Sequence, residues 1–192
     1  MNTDPIQPPL DLLERYGAYV SLRHPLDVLE TGDPWRIGCG LILAAHCTDA
    51  AVNKAGPGFF KEIPDWKTIL GKTRNELIPM LPGISHSGNK ADYILNWANY
   101  LNIQGGAIDS TVAGLTRVKG IGRKTAAIIL FTVKGIDEGI PLDTHALRVL
   151  DRLGWFPTTN SPNLKERQLL PWVPRGRRYT TFTILTQHGR HS

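Results

Sequence analysis

The sequence predicts an all-α protein, and two observations support this prediction. Apolar residues recur at helical spacing in several segments, as between Asn89 and Leu101, where Ile94, Trp97 and Leu101 share one face. Residues that favour helix N-termini precede these segments, and Pro or Gly residues separate them. With 192 residues, the chain is long enough for one core or for two small lobes.

The first half of the chain predicts one buried helix among shorter ones. Pro34 stands at a favourable first-turn position, and the helix that it opens, through about His46, is apolar nearly all round and should be central. Thr48 or Asp49 can cap the next helix, and Pro57 is expected to form part of a turn after it. The other helices expected before the Gly105–Gly106 linker cover residues 10–22, 50–55, 65–70, 74–78 and 89–101.

A glycine turn between two predicted helices forms the centre of the chain. Gly120 and Gly122 flank Ile121, so the backbone can take positive φ there and approach a partner closely. Ser110–Val118 predicts a helix before the turn, and Arg123–Val133 predicts a mostly buried helix after it. The amide groups of such a helix-hairpin-helix suit a phosphate oxygen, although a GxG turn alone is also typical of an ordinary αα-hairpin.

Lys124 and Asp143 are the candidate catalytic residues. Lys124 lies in the first turn of the second helix, where the helix dipole and Arg123 disfavour an added positive charge, and partial burial would disfavour it further. A neutral amine is a nucleophile toward a carbon that can form a Schiff base. Asp143 can cap the helix over 144–153, and a carboxylate at a cleft edge can also move protons for the amine.

Four segments carry a resemblance to a known family. They are LILAAHCTDAAVNKA from Leu41, GNKA from Gly88, VKGIGRKTA from Val118 and PLDTHALRV from Pro141. Together they resemble the helix-hairpin-helix DNA glycosylases, and within them the endonuclease III branch, over roughly residues 27 to 190.

The resemblance implies a two-lobed, all-α fold. A central six-helix lobe would span 27–136 and contain the helix-hairpin-helix at about 110–133. Residues 1–26 together with 137–192 would form a second helical lobe, basic in its C-terminal part. Lys124 and Asp143 would face each other across the cleft between the lobes.

The resemblance also implies a bifunctional DNA glycosylase and AP lyase of base excision repair. Lys124 would attack C1′ of an extruded, damaged nucleotide, with an oxidised pyrimidine as the first candidate, and Asp143 would stabilise charge on the sugar and shuttle protons. The resulting Schiff base would undergo β-elimination and nick the strand, and this chemistry requires no cofactor. Two alternatives stay open: an enzyme for alkylated or mismatched bases or for abasic sites only, and a non-catalytic DNA-binding module.

Three of the DNA contacts that the resemblance implies depart from the family pattern. His46 stands where a Gln usually fills the gap left by the extruded nucleotide, although a core or capping histidine is an equal interpretation. His86 and Ser87 stand where a bulky apolar residue and an aromatic usually enter the duplex. These departures leave the opposite-base preference open. The full predicted DNA-contacting set is Gly120, Ile121, Gly122, Arg123, Lys90, His46, His86, Ser87, Arg175, Arg177 and Arg178.

The excess positive charge lies near the C-terminus. Residues 1–140 carry 14 Lys and Arg against 14 Asp and Glu, whereas residues 141–192 carry 8 against 3, which accounts for the net charge of +5. Arg175, Arg177 and Arg178 cluster there. This cluster favours contact with the phosphates of double-stranded DNA, although a solvated basic surface has the same composition.

A monovalent cation is the one bound metal that the sequence leads us to expect. Most endonuclease III relatives continue from an HGR-like segment into four cysteines that ligate a [4Fe–4S] cluster, whereas this chain has two cysteines, Cys39 and Cys47, so no such cluster is expected. Thr116, Val118 and Ile121 match residues whose carbonyls hold a monovalent cation in relatives, so a bound Na⁺ or K⁺ is an additional expectation.

The sequence also bounds where the protein acts. No apolar run approaches the ~20 residues of a membrane span, and the N-terminus lacks the pattern of an export signal. Two cysteines do not make a disulfide framework. We therefore expect a monomeric, cytoplasmic protein, nucleoid-associated in a prokaryote, whose partner is double-stranded DNA with a damaged base or an abasic site.

Overall fold

A computed structural model of the protein describes residues 26–156 and 159–191, and all regular structure in these residues is helical. The all-α prediction is therefore confirmed. Two 3-10 helices occur, at Asp27–Thr31 and Ile78–Met80. The α-helices are α1 (Pro34–Ala44), α2 (Asp49–Glu62), α3 (Arg74–Leu77), α4 (Ser87–Ile103), α5 (Val112–Leu115), α6 (Arg123–Lys134), α7 (Thr144–Arg152), α8 (Pro162–Leu169) and α9 (Arg178–His191).

The chain forms two compact units. The first unit is His24–Ile136, described from residue 26, and contains α1 to α6. The second unit includes Asp137–Ser192 and contains α7 to α9. The predicted share of residues 1–25 in the second lobe, and the predicted helix over 10–22, lie outside the described residues. No described helix has the length and apolarity needed to cross a membrane.

Helix α1 forms the centre of the first unit, as its composition predicts. Asp33 caps it by accepting a hydrogen bond from the Trp35 amide at 2.9 Å. The helix packs against α2, α4 and α6. A Cβ at Gly38 would lie 2.2 Å from the indole nitrogen of Trp97 on α4, so the glycine permits close approach of the two helices. α1 ends at Ala44, two residues before the predicted end.

Helix α2 continues through Pro57, where the sequence predicts a turn. A proline inside a helix removes one main-chain donor. The apolar face on either side is buried, with Val52, Phe59 and Phe60 in the core, and this burial outweighs the lost hydrogen bond. The N-cap is Thr48, whose hydroxyl accepts from the Ala51 amide at 3.2 Å.

Residues 65–70 form a turn rather than the predicted helix. The Asp65 carboxylate accepts both the amide of Thr68, at 2.8 Å, and its hydroxyl, at 2.9 Å. A side chain that bonds nearby main-chain donors competes with the helical hydrogen-bond pattern. The local polar contact therefore prevails over a short apolar pattern.

The second unit rests on the close packing of α7 and α9. A Cβ at Gly189 would lie 2.3 Å from the His145 carbonyl oxygen, so only glycine allows this approach. Arg148 adds a hydrogen bond from its Nη1 to the Gly189 carbonyl at 3.1 Å. Leu153, the last residue of the predicted helix over 144–153, is 49% exposed, and α7 ends one residue earlier at Arg152.

Two charged side chains are buried in the second unit. Lys165 pairs with the Asp151 carboxylate, and Glu166 accepts the Ile140 amide at 3.1 Å. The Lys165 side chain is 3% exposed and that of Asp151 is 58% exposed, so this pair joins the interior of the unit to its surface. Helix packing and these polar contacts hold the described part of this unit together.

Candidate active site and nucleic-acid interface

The glycine turn connects α5 to α6 in the first unit. Gly120 has φ +102°, and a Cβ there would lie 2.4 Å from the Cβ of Tyr93, so both conformation and space require glycine. Ile121 is buried, and its amide donates to the Val118 carbonyl at 2.9 Å. Tyr93 contributes to the shape of this turn, and no local sequence signal marks it.

The helix before the turn is shorter than predicted. α5 covers Val112–Leu115 instead of Ser110–Val118, and Thr111 caps it by accepting from the Gly114 amide at 3.0 Å. Asp109 accepts the amide and the hydroxyl of Thr111, both at 3.0 Å. This run of capping bonds starts the helix later than the apolar spacing predicts.

The N-terminus of α6 has no side-chain cap. Its N-cap residue is Gly122, with φ −82° and ψ 171°, and a Cβ at this position would contact nothing within 4 Å. The first amides of a helix have no intrahelical acceptor, and the helix dipole makes this end positive. An uncapped N-terminus beside a tight turn can bind a phosphate oxygen.

Lys124 lies in the first turn of α6, two residues after Gly122, and its side chain is exposed. The side chain is not partially buried, because residues such as Ala126, Ala127 and Leu130 form the buried face of the helix. Exposure leaves the amine accessible to a substrate as large as DNA.

Asp143 lies in the second unit and is the N-cap of α7. Its Oδ1 accepts the Ala146 amide at 2.8 Å, so the predicted capping role is confirmed. Its Oδ2 accepts no hydrogen bond from the described residues. The side chain is half-buried. Asp143 can therefore cap its helix with one oxygen and keep the other for chemistry.

His46 and His86 lie together on the surface of the first unit. Both have φ 55°, in the left-handed region, and their ring centroids are 6.2 Å apart in an edge-to-face arrangement. Left-handed backbone at a residue other than glycine costs roughly 1–3 kcal/mol and occurs often at functional sites. Both side chains are exposed, so the core interpretation of His46 is wrong. Ser87, half-buried, is the first residue of α4.

Ser85 joins the two histidine-bearing loops. Its hydroxyl donates to the His46 carbonyl at 2.7 Å, and its amide donates to the Cys47 sulfur at 3.3 Å. Neither Ser85 nor Cys47 is among the residues predicted to be functional. Their contact spans 38 positions in the chain, so no local pattern indicates it.

Lys90 is buried, with 3% of its surface exposed, and not an exposed helix lysine. Its Nζ donates to the Leu43 carbonyl at 2.8 Å and to the Cys47 sulfur at 3.2 Å. The prediction that Lys90 contacts DNA does not fit this burial. Its helical register with Ile94 and Trp97, both buried, is the sequence signal that indicates an inward position.

Arg178 has a local role in the second unit that the sequence analysis did not predict. Its Nη1 donates to the Glu138 carbonyl at 2.6 Å and its Nε to the Val173 carbonyl at 3.2 Å. The half-buried guanidinium thus ties the start of α9 to preceding loops rather than forming a free basic patch. Arg175 and Arg177 have exposed side chains.

Two structural observations bear on the predicted metal sites. The Val118 carbonyl, one of three predicted cation ligands with those of Thr116 and Ile121, already accepts one hydrogen bond. Cys39 is buried in α1 and Cys47 lies in the following loop, so they do not fit the four-thiolate cluster of relatives. Within residues 26–156 and 159–191, no group of three or more His, Cys, Asp and Glu side chains could hold a metal ion.

The chain matches a known protein-family model over most of its length. The model, described as "HhH-GPD superfamily base excision DNA repair protein", matches residues 39–175. The matched region includes the hairpin, Lys124 and Asp143. The chain therefore belongs to the HhH-GPD superfamily of base excision DNA repair proteins.

Within this superfamily, the chain is similar to endonuclease III. The endonuclease III of Synechocystis sp. is 31% identical over 173 residues, which cover 84% of this chain and 74% of that protein. A non-covalent endonuclease III–DNA complex has a TM-score of 0.85 and 26% identity, and covers 95% of this chain and 84% of its own. A trapped covalent endonuclease III–DNA intermediate has a TM-score of 0.84 and 25% identity, and covers 93% and 83%.

Proposed function

We propose that the protein removes an oxidised pyrimidine from double-stranded DNA through a Schiff base on Lys124 and then nicks the strand. The broader class, a base excision repair glycosylase and AP lyase acting on damaged DNA, follows from its superfamily and its endonuclease III relatives. The observation that carries the proposal is the exposed Lys124 amine two residues after the uncapped, glycine-bounded N-terminus of α6. This arrangement supports a phosphate contact immediately beside a nucleophile.

The proposed reaction proceeds in two stages. The Lys124 nitrogen attacks C1′ of the extruded nucleotide, the glycosidic bond breaks, and the base leaves with a proton. The sugar ring then opens to a Schiff base, which acidifies the C2′ proton. Loss of that proton breaks the bond between C3′ and its oxygen and cuts the strand. Because the amine supplies the nucleophile and the electron sink, this route needs no cofactor.

Asp143 serves as the proton carrier and charge stabiliser in this proposal. Its Oδ1 is occupied by the Ala146 amide at 2.8 Å, which fixes the carboxylate, while Oδ2 has no hydrogen bond from the described residues. A positioned carboxylate of this kind contributes about 10²- to 10⁴-fold to proton-transfer steps.

The proposed DNA contacts divide into phosphate and base contacts. The amides of Gly120 and Gly122, with Arg123, Arg175 and Arg177, contact phosphates, whereas the Ile121 amide is taken by the Val118 carbonyl. A monovalent cation near the Thr116, Val118 and Ile121 carbonyls assists there. His46 and His86 occupy the space that an extruded nucleotide leaves in the duplex. Their exposed, paired rings and left-handed backbone support this role.

Borohydride trapping tests the mechanism. Wild-type protein is incubated with a duplex containing one abasic site and sodium borohydride, beside Lys124→Gln and the matched control Lys119→Gln, an exposed lysine of the same hairpin. We expect a covalent adduct with wild type and Lys119→Gln, and a loss of more than about 1,000-fold with Lys124→Gln. Tight DNA binding by wild type without any adduct would contradict the proposal and leave a base-removing enzyme or a binding module.

A different lesion is the second candidate, and the histidine pair favours testing it. Two polar rings at the expected duplex-entry positions differ from the bulky apolar residue and Gln that the family usually has there. Excision of oxidised pyrimidines, alkylated purines and mismatched bases is compared in single-turnover assays. Faster excision of an alkylated or mismatched base would reassign the substrate while keeping Lys124 as the nucleophile.

A further inference from the structure

A buried lysine and a cysteine form a polar cluster beneath His46. The Nζ of Lys90 lies 3.2 Å from the Cys47 sulfur and 2.8 Å from the Leu43 carbonyl, and the lysine side chain is 3% exposed. No carboxylate among the described residues pairs with Lys90. A buried ammonium group is stabilised by an anion beside it. The Cys47 sulfur is the adjacent group that can carry negative charge.

Main-chain and hydroxyl donors complete the surroundings of the sulfur. The Ser85 amide donates to the Cys47 sulfur at 3.3 Å, and the Ser85 hydroxyl lies 3.1 Å from it. Burial raises the pKa of the Cys47 thiol, but the bonds from the Ser85 hydroxyl and amide and from Lys90 outweigh burial, so the pKa lies below its ordinary value. The side chain is half-buried, so small reagents can reach it.

The Ser85 hydroxyl couples the sulfur to the His46 backbone. A hydroxyl has one proton, and this one has two possible acceptors: the His46 carbonyl at 2.7 Å and the Cys47 sulfur at 3.1 Å. When Cys47 is a thiol, its own proton can go to the Ser85 oxygen while the hydroxyl holds His46. A thiolate instead competes for the hydroxyl proton, which loosens the hydrogen bond to His46.

Cys39 provides the contrast within the same chain. It is fully buried in α1, and burial, with a smaller contribution from Asp33, holds the pKa of its thiol well above the ordinary value. A thiol of this kind is unreactive, because the thiolate is the nucleophilic form. The two cysteines therefore differ in access and in charge environment.

We propose that Cys47 is a modification site, a lysine-paired thiolate that hydroperoxides oxidise to sulfenic acid. The sulfur attacks the terminal oxygen of the hydroperoxide, an S–O bond forms and the O–O bond breaks. Sulfur loses two electrons, which the departing oxygen takes with a proton from water to leave as water or an alcohol. The oxidised side chain is a sulfenic acid, in which the hydroxyl from the hydroperoxide is bound to the sulfur.

Oxidation is expected to act on the DNA interface, an effect that rests on the proposed function of His46. The added oxygen must enter the contacts that Cys47 makes with Ser85 and Lys90, at 3.1 to 3.3 Å from the sulfur. Of these groups, the Ser85 hydroxyl also donates to the His46 carbonyl at 2.7 Å. Sulfenic acid formation is therefore expected to displace His46 and to weaken binding to a duplex with an extruded nucleotide.

The thiol chemistry is tested without DNA. Iodoacetamide labelling of native wild type is followed site by site by mass spectrometry across pH 5.5 to 9, roughly spanning the range of thiol ionisation, beside a free cysteine peptide. We expect Cys47 to react about tenfold faster than the peptide near neutral pH, Cys39 to stay unlabelled, and Lys90→Met to remove the difference. Peroxide followed by dimedone should label Cys47 alone. A Cys47 profile that matches the peptide overturns the proposal from wild-type data, even if Lys90→Met fails to fold.

The effect on DNA is measured separately. Peroxide-treated wild type is expected to bind a duplex with a stable abasic-site analogue about tenfold more weakly than untreated protein, and thiol reduction should restore binding. Cys47→Ala should show no response to peroxide. Unchanged affinity of the oxidised protein would overturn the coupling to His46. Failure of the untreated protein to bind the duplex would instead overturn the proposed function and leave the labelling result standing.

Discussion

The N-termini of α6 and α7 differ in whether a side chain caps the first amides of the helix. α6 begins at Gly122, which has no side chain to offer, so no side chain caps the helix. α7 begins at Asp143, whose carboxylate accepts the Ala146 amide at 2.8 Å. The first-turn amides of α6 therefore have no side-chain acceptor at the N-cap, whereas those of α7 have a carboxylate.

The residue at the N-cap determines whether the first amides of a helix have a side-chain acceptor or stay available to a ligand. A glycine N-cap stabilises a helix only slightly less than aspartate does, so little stability is lost at α6. The uncapped amides can then contact a phosphate. At α7 the cap immobilises a carboxylate and leaves Oδ2 without a hydrogen bond from the described residues, which is the condition for a positioned proton carrier.

The largest effect is expected from separating the two roles of Asp143. Asp143→Asn removes the negative charge, so the rate of base excision should fall by about 100- to 1,000-fold. Because asparagine keeps an N-cap acceptor, the free energy of unfolding should change by less than ~0.5 kcal/mol. Asp143→Ala should lose activity to a similar extent and also about 1 kcal/mol of stability. Single-turnover excision and urea unfolding measure the two effects.

A different outcome is expected if capping α7 is the only role of Asp143. In that case Asp143→Asn would retain near wild-type excision, and only Asp143→Ala would be impaired. Normal folding of Asp143→Asn, checked by circular dichroism, is required for either conclusion.

A smaller effect is expected when α6 receives the kind of cap that α7 has. Gly122→Asp introduces a carboxylate that can accept the first-turn amides, so the protein should become a few tenths of a kcal/mol more stable. The same carboxylate competes with and repels a DNA phosphate, so affinity for an abasic-site duplex should fall by about tenfold or more. Fluorescence anisotropy and urea unfolding measure both quantities.

Gly122→Ala is the matched control for this substitution. The position has space for a Cβ and an ordinary φ of −82°, so alanine adds neither charge nor clash. We expect its DNA affinity to stay within about threefold of wild type. Equal losses for Gly122→Ala and Gly122→Asp would show that flexibility at the turn, rather than an uncapped helix end, matters for binding.

Local signals in the sequence suffice for the starts of α6 and α7, but not for the extent of α5 or for the contacts that support the candidate site. The glycine turn, the start of α6 and the capping by Asp143 each depend on adjacent residues, and each is predicted correctly. The continuation of α2 through Pro57 and the burial of Lys90 are not. Both depend on tertiary packing, which overrides the local preference, as the Lys90 bond to a carbonyl 47 positions away shows.

The paired histidines show the same limit from another side. The sequence places His46 and His86 at expected duplex contacts only through the family resemblance, and nothing in the local sequence predicts their left-handed backbone. The Ser85 hydroxyl donates to the His46 carbonyl at 2.7 Å and so links the two loops that carry these histidines. A contact between two distant loops cannot be read from either loop alone.

The smallest expected effect is a pH-dependent change in stability at the N-terminus of α3, which Thr73 and Glu76 cap away from the site. Glu76 accepts the Thr73 amide and hydroxyl, both at 2.7 Å, and these two bonds hold the pKa of the Glu76 carboxyl below its ordinary value. A lowered pKa in the folded state means that the charged form is stabilised by folding, so this contribution is complete above the ordinary pKa of about 4.3. It is lost as pH falls through the folded-state pKa. Glu76→Gln keeps a capping side chain without titration, so the stability difference between wild type and this variant should shrink between pH 6 and pH 3 in urea unfolding.

The extra stability of Gly122→Asp over Gly122→Ala should likewise shrink as pH falls, because the aspartate caps α6 with a carboxylate. A pH-independent difference in both pairs would show that charge plays no part in capping these helices, and the contrast between α6 and α7 would then rest on hydrogen-bond geometry alone.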